Sequence, residues 1–114
     1  FNDWNDGLPG DVQDASDNNT FENLEIKDTY IAISFAYFQN SNLNSSADNN
    51  TFNNCKFSSI DNLFEVNRAN SGTQLNNCTI NNVDNFTLSL NNSYSLNASY
   101  SNCSWNNNGF NSPN

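Results

Sequence analysis

The sequence predicts an all-β repeat protein of about four stacked coils, and three observations carry that prediction. One six-residue pattern occurs four times: Phe21-Glu-Asn23-Leu24-Glu-Ile26, Phe52-Asn-Asn54-Cys55-Lys-Phe57, Leu75-Asn-Asn77-Cys78-Thr-Ile80 and Tyr100-Ser-Asn102-Cys103-Ser-Trp105. The copies start 31, 23 and 25 residues apart, a period that marks stacked supersecondary units. The segments between copies mix alternation with β-branched and aromatic residues, which reads as strand. Finally, each hexad holds Asn at its third position, and outside glycine Asn is the residue most at ease in the left-handed region. Each hexad is therefore a short strand, a bend at Asn and a second short strand.

The elements follow in order. Residues 1–16 read as an N-terminal arm or cap, and residues 17–106 as the solenoid. The lead-in Asp17-Asn-Asn-Thr-Phe21 returns as Asp48-Asn-Asn-Thr-Phe52. After the first hexad comes Tyr30-Ile31-Ala-Ile33-Ser-Phe35, after the second Ile60-Asp-Asn-Leu63-Phe-Glu-Val66, and after the third Val83-Asp-Asn-Phe86-Thr-Leu88. Each turn of the chain thus offers about three strands. The first coil is longer, with extra residues around Tyr37-Phe38-Gln-Asn-Ser-Asn-Leu43, so a loop or bulge is expected there. Residues 107–114 read as a C-terminal tail. Three inward stacks are expected: Phe21/Phe52/Leu75/Tyr100, Leu24/Cys55/Cys78/Cys103 and Ile26/Phe57/Ile80/Trp105.

Three strands per coil with an Asn bend resemble the right-handed parallel β-helix of the pectate-lyase-like superfamily and of many surface adhesins. The resemblance rests on the four hexads and covers roughly residues 17–106. It implies that Asn23, Asn54, Asn77 and Asn102 form an asparagine ladder, their side chains bonded along the stack and closed to modification. It carries little about activity. The alternative architecture is an antiparallel β-sandwich completed by strand addition, which short strands at regular spacing also permit.

Composition narrows the function. Asn supplies 29 of 114 residues, and 12 acids stand against 3 Lys plus Arg, for a formal charge of −9. A nucleic-acid binder needs cations to displace the counterions of phosphate, so that class is excluded. No apolar run approaches the roughly 20 residues of a helical membrane span. Eight of the acids lie in the first 28 residues, and residues 85–114 carry no charge at all. An uncharged Asn/Ser surface is hard to keep soluble, so glycans or a partner are expected to cover it. The chain begins at Phe1, as a processed product or an excised fragment would.

Sequons occur at Asn18, Asn44, Asn49, Asn77, Asn85, Asn91, Asn97 and Asn102, where about five would arise by chance from this composition. Leaving aside the ladder positions Asn77 and Asn102, the glycosylation candidates are Asn18, Asn44, Asn49, Asn85, Asn91 and Asn97, and the expected location is extracellular or at the cell surface. Cys55, Cys78 and Cys103 occupy one slot of the repeat. They read either as a buried column or as a source of an intermolecular crosslink, since an odd count leaves a thiol over. They lack zinc-site spacing.

Little catalytic chemistry is available. There is no His, so Ser–His and Cys–His nucleophiles are out. Asp61 and Asp84 follow the equivalent residues Ile60 and Val83. One rung apart, they could invite Ca²⁺ or serve sugar chemistry, or they are two turn residues facing water. Lys56 and Arg68 form no convincing basic site for a lyase, and the six Thr make no ice-binding row. No enzyme activity and no cofactor are expected.

A short stack must still deal with its ends, where open edges are templates for another chain. The expectation is a structural subunit of an N-glycosylated filament or surface appendage, assembling head-to-tail with copies of itself. Phe1, Trp4 and Leu8 would be the docking arm, with Trp105 and Phe110 lining the receiving end. The alternative is an adhesin or viral-fibre module that binds carbohydrate through aromatics such as Tyr37, Phe38 and Tyr94.

Overall fold

The computed structural model describes residues 2–3, 17–37, 47–67, 69–89 and 94–113. Among them are eleven strands and no helix: β1 (Asn2–Asp3), β2 (Thr20–Glu22), β3 (Glu25–Tyr37), β4 (Ala47–Asp48), β5 (Thr51–Asn53), β6 (Lys56–Val66), β7 (Asn70–Ser71), β8 (Thr73–Asn76), β9 (Thr79–Leu88), β10 (Ala98–Ser101) and β11 (Ser104–Asn106). They form three sheets, ordered β1-β3-β6-β9-β11, β10-β8-β5-β2 and β4-β7.

Every one of these pairings is parallel, which overturns the antiparallel sandwich. The bends supply the physical reason. Positive φ values of 52–65° occur at Asn18, Asn23 and Asp28, at Asn49, Asn54 and Ser59, at Gly72, Asn77 and Asn82, and at Asn102 and Asn107. A single left-handed residue turns a corner and does not reverse the chain. A strand therefore meets its own equivalent one repeat later, running the same way. The sequence reading found only the middle of these three corner columns.

The register matches the expected stacks. Phe21 pairs with Phe52, Phe52 with Leu75, and Leu75 with Tyr100. On the long sheet Ile26 pairs with Phe57, Phe57 with Ile80, and Ile80 with Trp105. Beyond the corner, Ile33 pairs with Phe64 and Phe35 with Val66. The first coil is thus in register with the second there. Its additional length falls between Tyr37 and Ala47, outside the described residues.

The core runs along the stack as Ile33, Phe35, Phe52, Cys55, Phe57, Ile60, Leu63, Phe64, Leu75, Cys78, Ile80 and Val83, all at most 2 % exposed. Stacked rings extend it: Phe21 lies on Phe52 at 5.1 Å and Phe35 on Phe64 at 6.1 Å between centroids. Such offset pairs add to the area they bury.

The described stack continues past residue 106. Asn107 makes another left-handed corner. Val83 N–H donates to Asn108 Oδ1 (2.9 Å), Asn108 Nδ2 donates to the Ile80 carbonyl (3.0 Å), and Gly109 N–H donates to the Val83 carbonyl (2.9 Å). A β-carbon at Gly109 would run into the main chain of Asp84, so only glycine allows this approach. At the other end, Asn2–Asp3 pairs with Ala36–Tyr37 of its own chain.

Candidate assembly surface

The end of the stack at the last rung gathers four aromatic side chains, each partly buried against the core. Trp105 points edge-on to Tyr100 (5.4 Å, 76°), to Phe86 (6.1 Å, 66°) and to Phe110 (6.0 Å, 81°). Phe86 lies at the centre, 5.2 Å from Phe110 and 5.9 Å from Tyr100, and reaches down to Phe64 at 5.7 Å. The corner at Asn107 and the close approach at Gly109 turn Phe110 back over Phe86. Trp105 and Phe110, named from the sequence, do come together. Phe86 and the Asn108–Gly109 closure were missed. The Asn-Gly dipeptide was the available signal.

Phe1, Trp4 and Leu8, the other half of the expected assembly site, lie outside the described residues. Near them only the backbone of Asn2–Asp3 is placed, on the edge of β3.

The four hexad asparagines stack as expected and all have positive φ, but their side chains are exposed. What runs along their column is main chain: Asn23 N–H to the Asn53 carbonyl (3.0 Å), Asn54 to Asn76 (2.9 Å) and Asn77 to Ser101 (2.8 Å). With Phe52 and Cys55, or Leu75 and Cys78, turned inward on either side, the two residues between them face outward, and that corrects the expectation of enclosed side chains. The side-chain amide ladders form elsewhere. Asn76 Nδ2 donates to Asn53 Oδ1 (3.0 Å), Asn85 to Asn62 (3.2 Å) and Asn106 to Asn81 (3.0 Å). Asn50, fully buried, accepts from Asn19 N–H (3.0 Å) and Asn19 Nδ2 (3.1 Å). Asn70 accepts from Asn97 N–H (2.8 Å) and donates to the Ser95 carbonyl (3.0 Å). These buried amides satisfy main-chain groups that loops would otherwise orphan.

Of the glycosylation candidates, Asn18, Asn49, Asn85 and Asn97 are exposed, and Asn44 and Asn91 lie outside the described residues. Asn77 and Asn102 are exposed too, so being a corner residue does not shield them.

The three thiols form one column. Each Sγ lies within reach of a carbonyl on the preceding rung: Cys55 of Phe21 (3.7 Å), Cys78 of Phe52 (3.3 Å) and Cys103 of Leu75 (3.3 Å). All three are free, with Cys55 and Cys78 buried and Cys103 partly so. Burial pushes the Cys78 thiol up from 9.0 to about 11, reinforced by the neighbouring sulfurs and opposed by main-chain hydrogen bonds. Burial also pushes the Tyr100 phenol well above its usual range, with Cys103 adding to the rise. A buried neutral thiol is a poor nucleophile. Burial keeps Cys55 and Cys78 from the surface, and Cys103, partly exposed, is the thiol at the end of the column.

Asp61 and Asp84 occupy equivalent register positions and both are exposed. Among the described residues no group of three His, Cys, Asp or Glu could hold a metal ion, and no helix is long and apolar enough to cross a membrane. Lys56 is exposed on β6, beside Glu25 in the register, and Arg68 lies outside the described residues. Comparison with known protein families, curated proteins and solved structures returns no match for this chain.

Proposed function

We propose that this chain is a non-enzymatic structural subunit of an extracellular, N-glycosylated filament or surface appendage, built as a right-handed parallel β-helix and assembling head-to-tail. The observation that carries the reading is the run of apolar columns in one register through successive rungs, ending on Tyr100, Cys103 and Trp105 at an end of the stack with no charged residue. An uncharged aromatic end with strand edges is a template for pairing, and a heterologous contact of this kind propagates into an open filament. Handedness follows the general preference for right-handed crossovers between parallel strands. The exposed sequons support a glycosylated, cell-exterior surface. The scarcity of catalytic groups, with no His and three basic residues, supports a structural role.

The carbohydrate-binding adhesin or fibre module draws no support from the aromatics the sequence named for it, Tyr37, Phe38 and Tyr94. Tyr94 is partly buried against the core, and Phe38 and the side chain of Tyr37 lie outside the described residues.

Negative-stain electron microscopy of native, undenatured material tests the reading. Regular filaments with a short axial repeat are the expected result. Discrete monomers or trimers would overturn it.

A further inference from the structure

We propose that a second copy of this chain completes the last rung, seating its first rung on β10 and β11 in the register that already joins rungs within one chain. The inference rests on the head-to-tail reading and specifies how the contact is made.

Three observations carry it. The columns are self-similar, so the hexad that follows Tyr100, Cys103 and Trp105 in each column can be Phe21, Leu24 and Ile26 of the next copy. Those residues are the outer members of the same three stacks, and Leu24 is 39 % exposed. In this register Ser99 faces Thr20, Ser101 faces Glu22 and Ser104 faces Glu25 of the added copy, continuing the pairings of β2-β5-β8-β10 and of the long sheet.

The partial rungs are also complementary. The long sheet carries strand to Val66 on the second rung and to Leu88 on the third. On the last rung β11 ends at Asn106, and the in-register hydrogen bonding runs out at Gly109. Among the described residues, no strand follows there. At the opposite end of the molecule, β1 is a piece of strand with the inverse placement: it lies beside Ala36–Tyr37, in the later half of the same sheet, ahead of the first rung. Stacked on a neighbour, β1 falls at the level of that neighbour's last rung, in the part of the sheet that β11 does not reach.

Charge sets the direction. The first rung exposes Asp17, Glu22, Glu25 and Asp28 with Lys27, whereas residues 85–114 carry no charge. Two first-rung ends repel each other, while the last-rung end accepts an acidic face without that cost.

The test uses the full chain with Leu24→Cys and Cys55→Ala, the second change removing the thiol one rung away in the same chain. In the proposed register Cys103 and position 24 of the next copy are one rung, ~4.8 Å, apart, inside the roughly 4.4–6.8 Å Cα separation that a disulfide spans. Isotopically light and heavy copies are mixed, oxidised with oxidised glutathione and mapped. A ladder of multimers joined by mixed-isotope 24–103 disulfides is expected. Filaments of this variant without 24–103 bonds would overturn the register and leave the filament reading standing. Dimers joined 103–103 would overturn it in favour of tail-to-tail pairing. Absence of both filaments and crosslinks in variant and parent would overturn both readings. A second pair of variants does not depend on thiols. Ser101→Asp with Ser104→Asp, both exposed, places acid opposite Glu22 and Glu25 and should raise the critical concentration for assembly roughly tenfold. Ser101→Lys with Ser104→Lys should lower it by a similar factor. Equal effects from both signs would overturn the register.

Discussion

The first and second rungs carry the same hexad and end in different surroundings. Phe52, Cys55 and Phe57 are at most 2 % exposed, whereas Phe21 and Ile26 are partly buried and Leu24 is 39 % exposed. The residue types are similar, so residue type does not account for the difference. A middle rung is covered above and below, and an end rung depends on whatever lies beyond it. In a stack of nearest-neighbour contacts, stability belongs to the interfaces between rungs. A substitution should therefore be felt according to how many rungs it touches.

The largest expected effect is at the centre. Phe57→Ala empties a site walled by the rungs on both sides and should cost about 3–5 kcal/mol, read as a fall in the urea midpoint at constant slope. A loss under ~1 kcal/mol would mean that the middle rung is no better packed than the end.

Next comes pH. The Cys78 thiol is held neutral in the folded chain up to about 11, against 9.0 ordinarily. Between those values the unfolded chain releases this proton and the folded chain keeps it, so the unfolded state binds fewer protons and stability falls as pH rises. The stabilisation is complete below pH 9 and is lost by about pH 11, at no more than roughly 1.4 kcal/mol per pH unit. Cys78→Ala should flatten that part of a urea-midpoint profile. An unchanged slope would assign the loss to other groups.

Smaller is the corner at Gly72, where φ is 65° and an added β-carbon would meet the Asn49 side chain. Gly72→Ala should cost about 1–2 kcal/mol through the left-handed conformation, measured by thermal or urea unfolding. A neutral result would mean that this corner relaxes freely. Leu24→Ala, on the first rung where Leu24 is 39 % exposed, should cost less than ~1 kcal/mol for the folded monomer. A loss as large as that at Phe57 would place a cover over the first rung.

Much of this was legible in the sequence because stacking is repetitive. The hexad spacing gave the register of Phe21, Phe52, Leu75 and Tyr100, and the same spacing placed Cys55, Cys78 and Cys103 in one column. The direction of the hexad asparagines was misjudged, since their conformation and their exposure are separate matters. A corner that favours Asn for its backbone still sends the amide to solvent. The other two corner columns escaped notice because their members differ: Asn49 stacks on Gly72, and Asp28 precedes Ser59 and Asn82. Buried Asn50, Asn62 and Asn70 looked like ordinary polar residues among 29 asparagines. Nothing in a one-dimensional pattern separates an amide that satisfies a loop from one that faces water.

The sequence by itself determined the β class, the repeat length and which side chains share a column, because a period of apolar residues and left-handed corners acts locally in every coil. Only the tertiary structure decided that Phe86 gathers Tyr100, Trp105 and Phe110 at the last rung, and that Asn108 and Gly109 close over Val83 and Asp84. Those outcomes depend on contacts between residues about 25 apart in the chain, and no local propensity encodes them.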